Sequence, residues 1–405
     1  MEIAVIGAGL LGCGTALELA ARGARITLIE ALDEPLRGAA LANEGKLHFG
    51  HVYARDDSLA TARLMLQGAL AMAPALRRWL DDSSVERLPR GAPYRYAVHR
   101  DSLSSPEAIS AHYQACARLA REMLGTGRVD CFGADPREES RRIPLGSDCN
   151  PACVQALFQT PEISLDNRAM AALLRARVLA EPRITLLAAT RVTRAEADAD
   201  GITLHMQGGQ RRRFAHTINA SWESRLALDA SLSIAPPPEW TFRLKYVVHL
   251  RGMRPLGFPP STICLGAFGD VVMLPDGEAL LSWYPAGRRA VSQELAPPDW
   301  PRGMQGEAAQ ALREQMLAGL SEVFPPLLAL RDDPAFAQGV VQGGVIYARG
   351  TRDVHEASSG LHARSAIGRQ SHGRWHSVDP GKWTTAPFFA TEVAEYIMPR
   401  QRQVA

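Results

Sequence analysis

The sequence lacks the features that mark several classes of protein. It has no long block of charge of one sign, since 45 Lys and Arg residues stand against 43 Asp and Glu residues and the net charge is +2. No apolar run approaches the roughly 18 residues of a membrane-spanning helix. The first residues show neither a basic segment nor the apolar core of a signal peptide. We therefore expect no nucleic-acid partner, no transmembrane segment and a cytoplasmic location.

Cysteine is also scarce, with six residues in 405. So few cysteines do not build a dense disulfide framework, and the sequence favours a reduced state. Cys149 and Cys153 lack both the usual spacing of metal ligands and a second pair of ligands. We therefore expect no metal site. The remaining composition, 46% hydrophobic and 22% charged, is that of a globular protein long enough for two domains.

The first thirty residues predict a strand, a glycine turn, a helix and a second strand. Residues 2–6 form a short apolar run that suits a buried parallel strand. Gly7, Gly9 and Gly12 follow with the spacing GxGxxG. Gly7 permits the tight turn, Gly9 lets backbone approach a pyrophosphate, and Gly12 lets the helix pack closely on the strand. The second strand covers residues 25–29.

This arrangement predicts a dinucleotide at the helix N-terminus. The free backbone N–H groups there, including those of Leu10 and Leu11, carry a partial positive charge that favours phosphates. Glu30 lies 18 residues beyond Gly12. A carboxylate at that position accepts hydrogen bonds from a ribose diol and repels a 2′-phosphate. The sequence thus favours FAD or NAD over NADP.

The longer pattern adds Ala16, Leu19, Ala20, Gly23 and Ile26, and it resembles the FAD-binding proteins of the D-amino acid oxidase family. That family includes amino acid and glycine oxidases, glycerol-3-phosphate dehydrogenases and L-2-hydroxyglutarate dehydrogenases. The resemblance implies an α/β fold, α+β overall, with a Rossmann-like FAD-binding domain and a second, mainly antiparallel β-sheet domain for the substrate. It also implies noncovalent FAD.

Residues 43–50, NEGKLHFG, resemble the family segment that lies against the flavin. The cofactor contacts expected from it are Asn43, Gly45, Lys46, Leu47 and His48. A glycine-flanked loop suits close approach to a planar ring, towards which His48 would project. We interpret His48 as a proton acceptor rather than the covalent flavin tether of some relatives.

Three later segments resemble the rest of the family's cofactor site. Residues 191–193 resemble the strand that touches the adenine, and residues 218–222 resemble a strand that ends in a small-residue turn near the cofactor. Residues 378–387 resemble the turn that opens the last helix, whose N–H groups face the flavin pyrimidine. The contacts expected from these segments are Val192, Ala220, Ser221, Gly381, Lys382, Trp383 and Thr384.

These landmarks predict a discontinuous FAD-binding domain and an inserted substrate domain. The first covers residues 1–80, 150–228 and 340–405, and the second covers residues 81–149 and 229–339. Other predicted elements are a hairpin over residues 269–284, an amphipathic helix over 305–324, a last helix over 389–397 and a helix over 58–80 that Pro74 should kink or break.

The expected chemistry requires an anchor for the substrate. A flavin takes a hydride from a carbon that bears an amine or a hydroxyl group, and a bidentate arginine is the usual partner of the substrate carboxylate. Arg349 is the candidate, because residues 343–349 resemble the family strand that carries this arginine, although the spacing departs from the family's Gly-x-Arg-Pro form. Tyr347 is the alternative catalytic residue. Further substrate-binding candidates are Arg243, Lys245, Tyr246, Tyr284 and Arg288.

The sequence therefore predicts an FAD-dependent oxidase or dehydrogenase that acts on an amino acid, an amine or a 2-hydroxy acid. Its partners would be a small-molecule substrate and, as acceptor, oxygen or a quinone or electron-transfer protein. Two alternatives stay open: a flavin-binding tailoring enzyme or subunit that acts on a large or carrier-bound substrate, and an NAD-linked dehydrogenase. The sequence leaves the oligomeric state open.

Overall fold

The computed structural model describes residues 1–399, which contain ten α-helices and nineteen β-strands. The helices are α1 (Leu10–Ala21), α2 (Ala60–Trp79), α3 (Asp82–Glu86), α4 (Pro106–Leu124), α5 (Asn167–Ala180), α6 (Arg225–Ala230), α7 (Tyr284–Gly287), α8 (Gly306–Val323), α9 (Pro334–Ala337) and α10 (Ala386–Ile397). The strands are β1 (Glu2–Ile6), β2 (Arg25–Ile29), β3 (Arg95–His99), β4 (Arg141–Ile143), β5 (Val154–Gln159), β6 (Ile184–Leu187), β7 (Val192–Ala197), β8 (Ile202–Met206), β9 (Arg211–Phe214), β10 (His216–Asn219), β11 (Trp240–Leu250), β12 (Ser261–Cys264), β13 (Gly269–Met273), β14 (Ala279–Trp283), β15 (Arg288–Ser292), β16 (Gly303–Met304), β17 (Val340–Arg349), β18 (Gly368–His372) and β19 (Trp375–Asp379).

A six-stranded sheet organises the region around the glycine turn. Its order is β18-β19-β10-β1-β2-β6, and every neighbouring pair is parallel except β18 and β19. Four of the five residues of β1 are buried, as the apolar run of residues 2–6 predicts. Helix α1 is buried from Leu10 to Ala20 and packs against α10, so both ends of the described chain share one core.

A ten-stranded sheet follows the order β16-β17-β11-β14-β13-β12-β3-β5-β4, with β15 also paired to β11. Its pairs are antiparallel except for β3 and β12, which are parallel. Helix α8 packs on β14 and β17. A separate three-stranded antiparallel sheet contains β7, β8 and β9. The fold is therefore a mixed α/β fold with parallel and antiparallel sheets, as predicted.

The two-domain division stays a proposal, and two strands bear on its boundaries. Strands β5 and β17 lie in ranges that the sequence assigns to the FAD-binding domain, yet both pair within the ten-stranded sheet. The reason for β17 is its register with β11, which extends over ten residue pairs from Val340 to Arg349. We therefore count β5 and β17 with the substrate sheet.

Most of the predicted elements are present. The hairpin is formed by β13 and β14, the amphipathic helix is α8, and α10 begins three residues before the predicted start at Phe389. The prediction for Pro74 differs from the structure, because α2 continues through it to Trp79. The residues around Pro74 are buried in the core with α10, so tertiary packing holds the helix together despite the missing N–H group. None of the helices in residues 1–399 is long and apolar enough to cross a membrane.

Candidate active site

A cavity of about 420 Å³ lies between the six-stranded sheet and one face of the ten-stranded sheet. The neighbouring parallel strands β19, β10, β1 and β2 all end at it, because residues directly after each of them line its wall. Ligands of open α/β sheets bind in this position, outside the carboxyl ends of the strands. The opposite wall comes from β11, β12 and β17, so the cavity joins the two sheets.

The glycine turn leaves open space at one end of this cavity. Gly7 has a φ of +91°, and a Cβ atom there would lie 2.6 Å from the carbonyl oxygen of Ala220. A Cβ atom on Gly12 would lie 1.8 Å from the carbonyl oxygen of Gly7, whereas one on Gly9 would meet no atom within 4 Å. No side chain caps the N-terminus of α1. Gly7 and Gly12 therefore hold strand and helix together, and Gly9 leaves room for phosphates.

The predicted contacts of this end are brought together with one exception. Gly7, Gly9, Leu10, Leu11 and Glu30 line the cavity, whereas Gly12 lies behind the turn. The Glu30 carboxylate accepts hydrogen bonds from the backbone N–H groups of Ala8 at 2.6 Å and Leu32 at 2.8 Å. Burial raises the pKa of Glu30. A carboxylate offers about four acceptor positions, so Glu30 retains capacity for a ribose diol.

The neighbouring wall contains residues of the predicted segments 191–193 and 218–222. Ala220 and Ser221 line the cavity, but at residues 191–193 it is Arg191 rather than Val192 that does so. Glu223 also lines it and accepts from Arg302 Nη1 at 2.6 Å. Arg302 precedes β16, so this ion pair connects the substrate sheet to the cofactor end of the cavity.

The NEGKLHFG segment forms the far end of the cavity. Asn43, Lys46 and His48 line it, whereas Gly45 and Leu47 face away. Gly45 has a φ of +59°, and a Cβ atom there would lie 2.1 Å from the carbonyl oxygen of Leu165, so this glycine permits a close backbone approach. The Lys46 ammonium donates to Asp270 Oδ1 at 2.9 Å and to the hydroxyl of Thr262.

His48 lies in this wall with 6% of its surface exposed. Its backbone N–H donates to Thr384 Oγ1 at 3.3 Å, and that hydroxyl donates to the Lys46 carbonyl at 2.8 Å. Thr384 thus stands behind the wall and joins the His48 loop to the C-terminal turn. The ring atom Nδ1 is buried without a hydrogen-bond partner. Burial, together with the cations Lys382 and Lys46, holds the pKa of His48 well below its ordinary value, so the ring is neutral at neutral pH.

The C-terminal turn completes the far end, since Gly381, Lys382 and Trp383 line the cavity. Burial and the nearby Arg364 guanidinium lower the pKa of Lys382 to about 8. The indole Nε1 of Trp383 is buried without a partner. Helix α10 begins at Ala386, which also lines the cavity. The far end therefore combines a helix N-terminus, a cation and one unsatisfied donor.

The structure brings only part of the predicted substrate set to the cavity. Tyr284 and Lys245 line it, whereas Tyr246 and Arg288 do not. Tyr246 donates its hydroxyl to the Pro301 carbonyl at 2.8 Å. Arg288 pairs with Asp353 at 3.1 Å.

Arg349 and Tyr347 also lie outside the cavity. Arg349 is the last residue of β17, pairs in register with Trp240 and is exposed. Tyr347 is buried beside Phe242, with Arg225 stacked on its ring at 4.9 Å. The structure therefore does not support the expectation that Arg349 or Tyr347 contacts the substrate. The sequence similarity located the correct strand, but the register of β17 with β11 carries Arg349 past the edge of the cavity.

Arg364 is the buried cavity arginine that sequence reasoning missed. It lines the cavity with 7% of its surface exposed, and it donates to the Tyr347 carbonyl. Its backbone N–H donates to Thr61 Oγ1 at 2.9 Å. Arg364 lies between β17 and β18 in a stretch without helix or strand, so no periodicity in the sequence indicates which way it points.

The comparison with known families decides between the cofactors. Residues 2–395 match the family DAO, described as FAD dependent oxidoreductase. The chain belongs to this family. Its cofactor is FAD, and the open space at Gly9, the uncapped α1 and the unsatisfied Nε1 donor of Trp383 at the far end fit this group. This result also removes the NAD-linked alternative.

Several solved structures share the fold of this chain. Glycine oxidase from Geobacillus kaustophilus has a TM-score of 0.67 at 16% identity, covering 99% of this chain and 95% of its own. Iminodiacetate oxidase from Chelativorans sp. BNC1 has a TM-score of 0.65 at 14% identity, covering 100% and 97%. The FAD-bound L-α-glycerophosphate oxidase of Mycoplasma pneumoniae has a TM-score of 0.62 at 15% identity, covering 99% and 95%.

A curated relative matches a short part of the chain. It is the tRNA 5-methylaminomethyl-2-thiouridine biosynthesis bifunctional protein of Cupriavidus metallidurans, which is 45% identical over 75 residues. The match covers 18% of this chain and 10% of the relative, so the chain corresponds to a small fraction of that protein's length.

Proposed function

We propose that this DAO-family protein oxidises a small carboxylate-bearing amino acid or amine, with a 2-hydroxy acid as the alternative donor. The observation that carries the proposal is the single cavity that connects the dinucleotide turn to Arg364 and His48. Bound FAD supplies the hydride acceptor. The protein must then anchor the substrate, exclude water and take up one proton.

Arg364 is suited to anchor the substrate carboxylate. Its guanidinium is buried, and a planar guanidinium binds a carboxylate through two parallel hydrogen bonds. Two other cations of the cavity are already paired, Lys46 with Asp270 at 2.9 Å and Lys245 with Glu44 at 3.5 Å, and the pKa of Lys382 is lowered to about 8, so that its charge is partly lost near neutral pH. Among the residues that the structure describes, Arg364 has no carboxylate partner within salt-bridge distance, so its charge is available to a ligand.

His48 is suited to accept the proton that leaves the amine or hydroxyl group. Its ring is neutral and no hydrogen bond occupies Nδ1, so the ring retains basic capacity. The Thr384 hydroxyl fixes the backbone of the loop and so limits its movement. We propose that His48 acts in this way and that FAD is held noncovalently.

The names of similar proteins favour a carbon–nitrogen donor. Glycine oxidase, iminodiacetate oxidase and L-proline dehydrogenase act, by name, on amino acids or amines, whereas glycerophosphate oxidase acts on an alcohol. Their identities of 14–16% support the fold rather than the substrate. We therefore infer the carbon–nitrogen donor as the first hypothesis and the alcohol as the second.

Anaerobic bleaching of the flavin tests the function. The purified holoenzyme is mixed with D- and L-amino acids, sarcosine, glycerol phosphate and hydroxy acids, and the visible absorption is followed. We expect an amino acid or a secondary amine to bleach the flavin. Bleaching by hydroxy acids alone would assign the alcohol donor instead. Reoxidation in air against reoxidation by a quinone then identifies the acceptor.

A second candidate function is the oxidation of a large or carrier-bound substrate. The short match to a tRNA-modifying protein, whose name contains a methylaminomethyl group, favours it. This candidate predicts that no small donor bleaches the flavin, whereas an amine carried on a macromolecule does. The same anaerobic assay therefore separates the two functions.

The pH dependence of flavin reduction tests the role of His48. Because its pKa is held well below 6.5, His48 stays unprotonated as the pH falls from 8 to 6.5. We expect the rate of flavin reduction, divided by the substrate dissociation constant, to show no acid limb from His48 above pH 6.5, whereas Lys382, whose pKa is about 8, accounts for any change near pH 8. Stopped-flow measurements at each pH, repeated in Lys382→Met, give this quantity. An acid limb centred at or above pH 6.5 that persists in Lys382→Met would contradict the assignment, provided the substrate does not titrate there.

A further inference from the structure

The segment between β17 and β18, residues 350–367, here called the strap, lies along the cavity. Val354, Leu361, His362 and Arg364 from this segment line the cavity wall. The strap has no helix or strand of its own, and its backbone is held by side chains from other elements. It therefore contributes to the substrate side of the cavity without belonging to either sheet.

Asp353 fastens the strap to the substrate sheet. Its carboxylate accepts from the Tyr284 hydroxyl at 2.6 Å and pairs with the Nε atoms of Arg243 and Arg288, each at 3.1 Å. Arg243 also donates to the Arg352 carbonyl at 2.7 Å. Tyr284, Arg243 and Arg288, which the sequence suggested as substrate ligands, thus meet at the Asp353 carboxylate. These contacts hold the strap in place on the substrate sheet.

His362 presents an unsatisfied atom in this fixed segment. The side chain lines the cavity with 5% of its surface exposed, and Nε2 is buried without a hydrogen-bond partner. Burial lowers the pKa of His362, and the backbone carbonyl groups of Val354 and Glu356 accept from the ring. Because Nε2 has no partner, Nδ1 is the nitrogen that donates, and Nε2 is left as an acceptor. A buried acceptor without a donor is costly, so a ligand donor would satisfy it.

His362 and the proton acceptor His48 have different charged surroundings. The charged groups that influence the pKa of His48 are Lys382, Glu162, Lys46 and Asp270. The charged group that influences the pKa of His362 is Arg55. Arg364 lowers the pKa of Lys382, and it lies two positions after His362 in the strap. Arg364 and His362 therefore reach the cavity from the same strap, whereas His48 belongs to the loop at the far end.

We propose that Nε2 of His362 binds a hydroxyl or N–H donor of the substrate, additional to the group that is oxidised. This inference rests on the proposed function, because Arg364 must anchor the carboxylate. The substrate class is then a carboxylic acid that carries a second hydrogen-bond donor, rather than an acid with a purely apolar side chain. A site built around a buried acceptor discriminates against analogues that cannot donate to it.

Binding of simple acids to the holoenzyme tests this assignment. The probes are β-hydroxypropionate and γ-hydroxybutyrate, each compared with its O-methyl ether, which cannot donate. Dissociation constants come from the change that each acid causes in the visible absorption of the oxidised flavin, measured anaerobically. We expect at least one hydroxy acid to bind roughly threefold to tenfold more tightly than its ether, the range of one net hydrogen bond.

Variants of His362 identify the acceptor. In His362→Leu the ratio of the dissociation constants of ether and hydroxy acid should fall to about one. His362→Gln, which retains an acceptor oxygen, should keep part of this preference. His355→Leu is the matched control, because His355 is exposed on the same strap, and its ratio should equal that of the parent protein. Flavin content and Tm are measured for each variant.

Each outcome has a defined meaning. If the acids bind to the parent protein with a ratio of one at both lengths, or if the ratio survives in His362→Leu, the inference is overturned while the carboxylate anchor stands. If none of the four acids perturbs the flavin, the anchor at Arg364 is contradicted as well, and the inference fails with it.

Discussion

Arg364→Ala is expected to retain bound FAD and to lose reduction of the flavin by substrate. Truncating one partner of a buried, hydrogen-bonded charge pair costs about 2 to 5 kcal/mol, which corresponds to roughly 30-fold to several thousand-fold in affinity. The loss should appear in the substrate dissociation constant and in the rate of reduction measured by anaerobic stopped flow. Arg364→Lys should restore only part of it, because an ammonium cannot form the bidentate pair.

The matched control is Arg349→Ala. Arg349 is exposed at the end of β17 and does not line the cavity, so its loss should leave flavin reduction within about twofold, since surface substitutions usually act within 0.5 kcal/mol. Equal effects of the two substitutions would remove Arg364 from the site. A large effect at Arg349 alone would restore the interpretation made from the sequence.

Gly9→Val is expected to yield a stable but colourless protein. The Cβ atom of residue 9 meets no protein atom within 4 Å, and its backbone is extended with a φ of −72°, which valine adopts without strain. The side chain would instead fill the space through which phosphates reach the N–H groups of α1. We expect the affinity for FAD to fall at least ~100-fold, or about 2.7 kcal/mol. Titration of the apoprotein with FAD measures this change.

Gly12→Ala is the informative comparison for Gly9→Val. Its Cβ atom would lie 1.8 Å from the Gly7 carbonyl oxygen, so helix and strand must separate. This variant should lose both FAD and thermal stability, whereas Gly9→Val should keep the Tm of the apoprotein. A drop in the Tm of Gly9→Val equal to that of Gly12→Ala would show that the turn, rather than the phosphate space, had been damaged.

The cofactor end of the site could be predicted because its signals are local. The spacing of Gly7, Gly9 and Gly12 lies within one turn of chain, and Glu30 follows the next strand at a fixed distance, although Gly7 also permits a close approach to the distant Ala220. The periodicity of residues 2–29 is also unambiguous, so strand and helix bounds agree closely with the structure. The structure also brings residues 43–48 and 381–384 together at the far end, apart from those that stand behind the wall, and their contacts with FAD stay predictions.

The substrate end could not be predicted because it depends on tertiary contacts. The register of β17 with β11 carries Arg349 past the edge of the cavity, and the sequence of β17 alone does not reveal this register. Likewise, Arg243, Tyr284 and Arg288 converge on Asp353 from positions 65 to 110 residues away along the chain. The strap that carries Arg364 and His362 has no periodic pattern, so the sequence did not indicate that it reaches the cavity. Pro74 shows the same limit, since packing against α10 overrides a local helix-breaking signal.

The lining of the cavity also sets the order in which the protein matures. The phosphate turn at Gly7 to Gly12 is synthesised early, but the far end of the cavity includes Gly381 and Lys382. At about 5 to 20 residues per second, roughly 20 to 80 s of synthesis separate the two. During that interval the nascent chain has half of a binding site, and its α1 lacks the packing that α10 provides. The complete lining of the FAD site therefore requires synthesis of the chain through Lys382 and packing of α10 against α1.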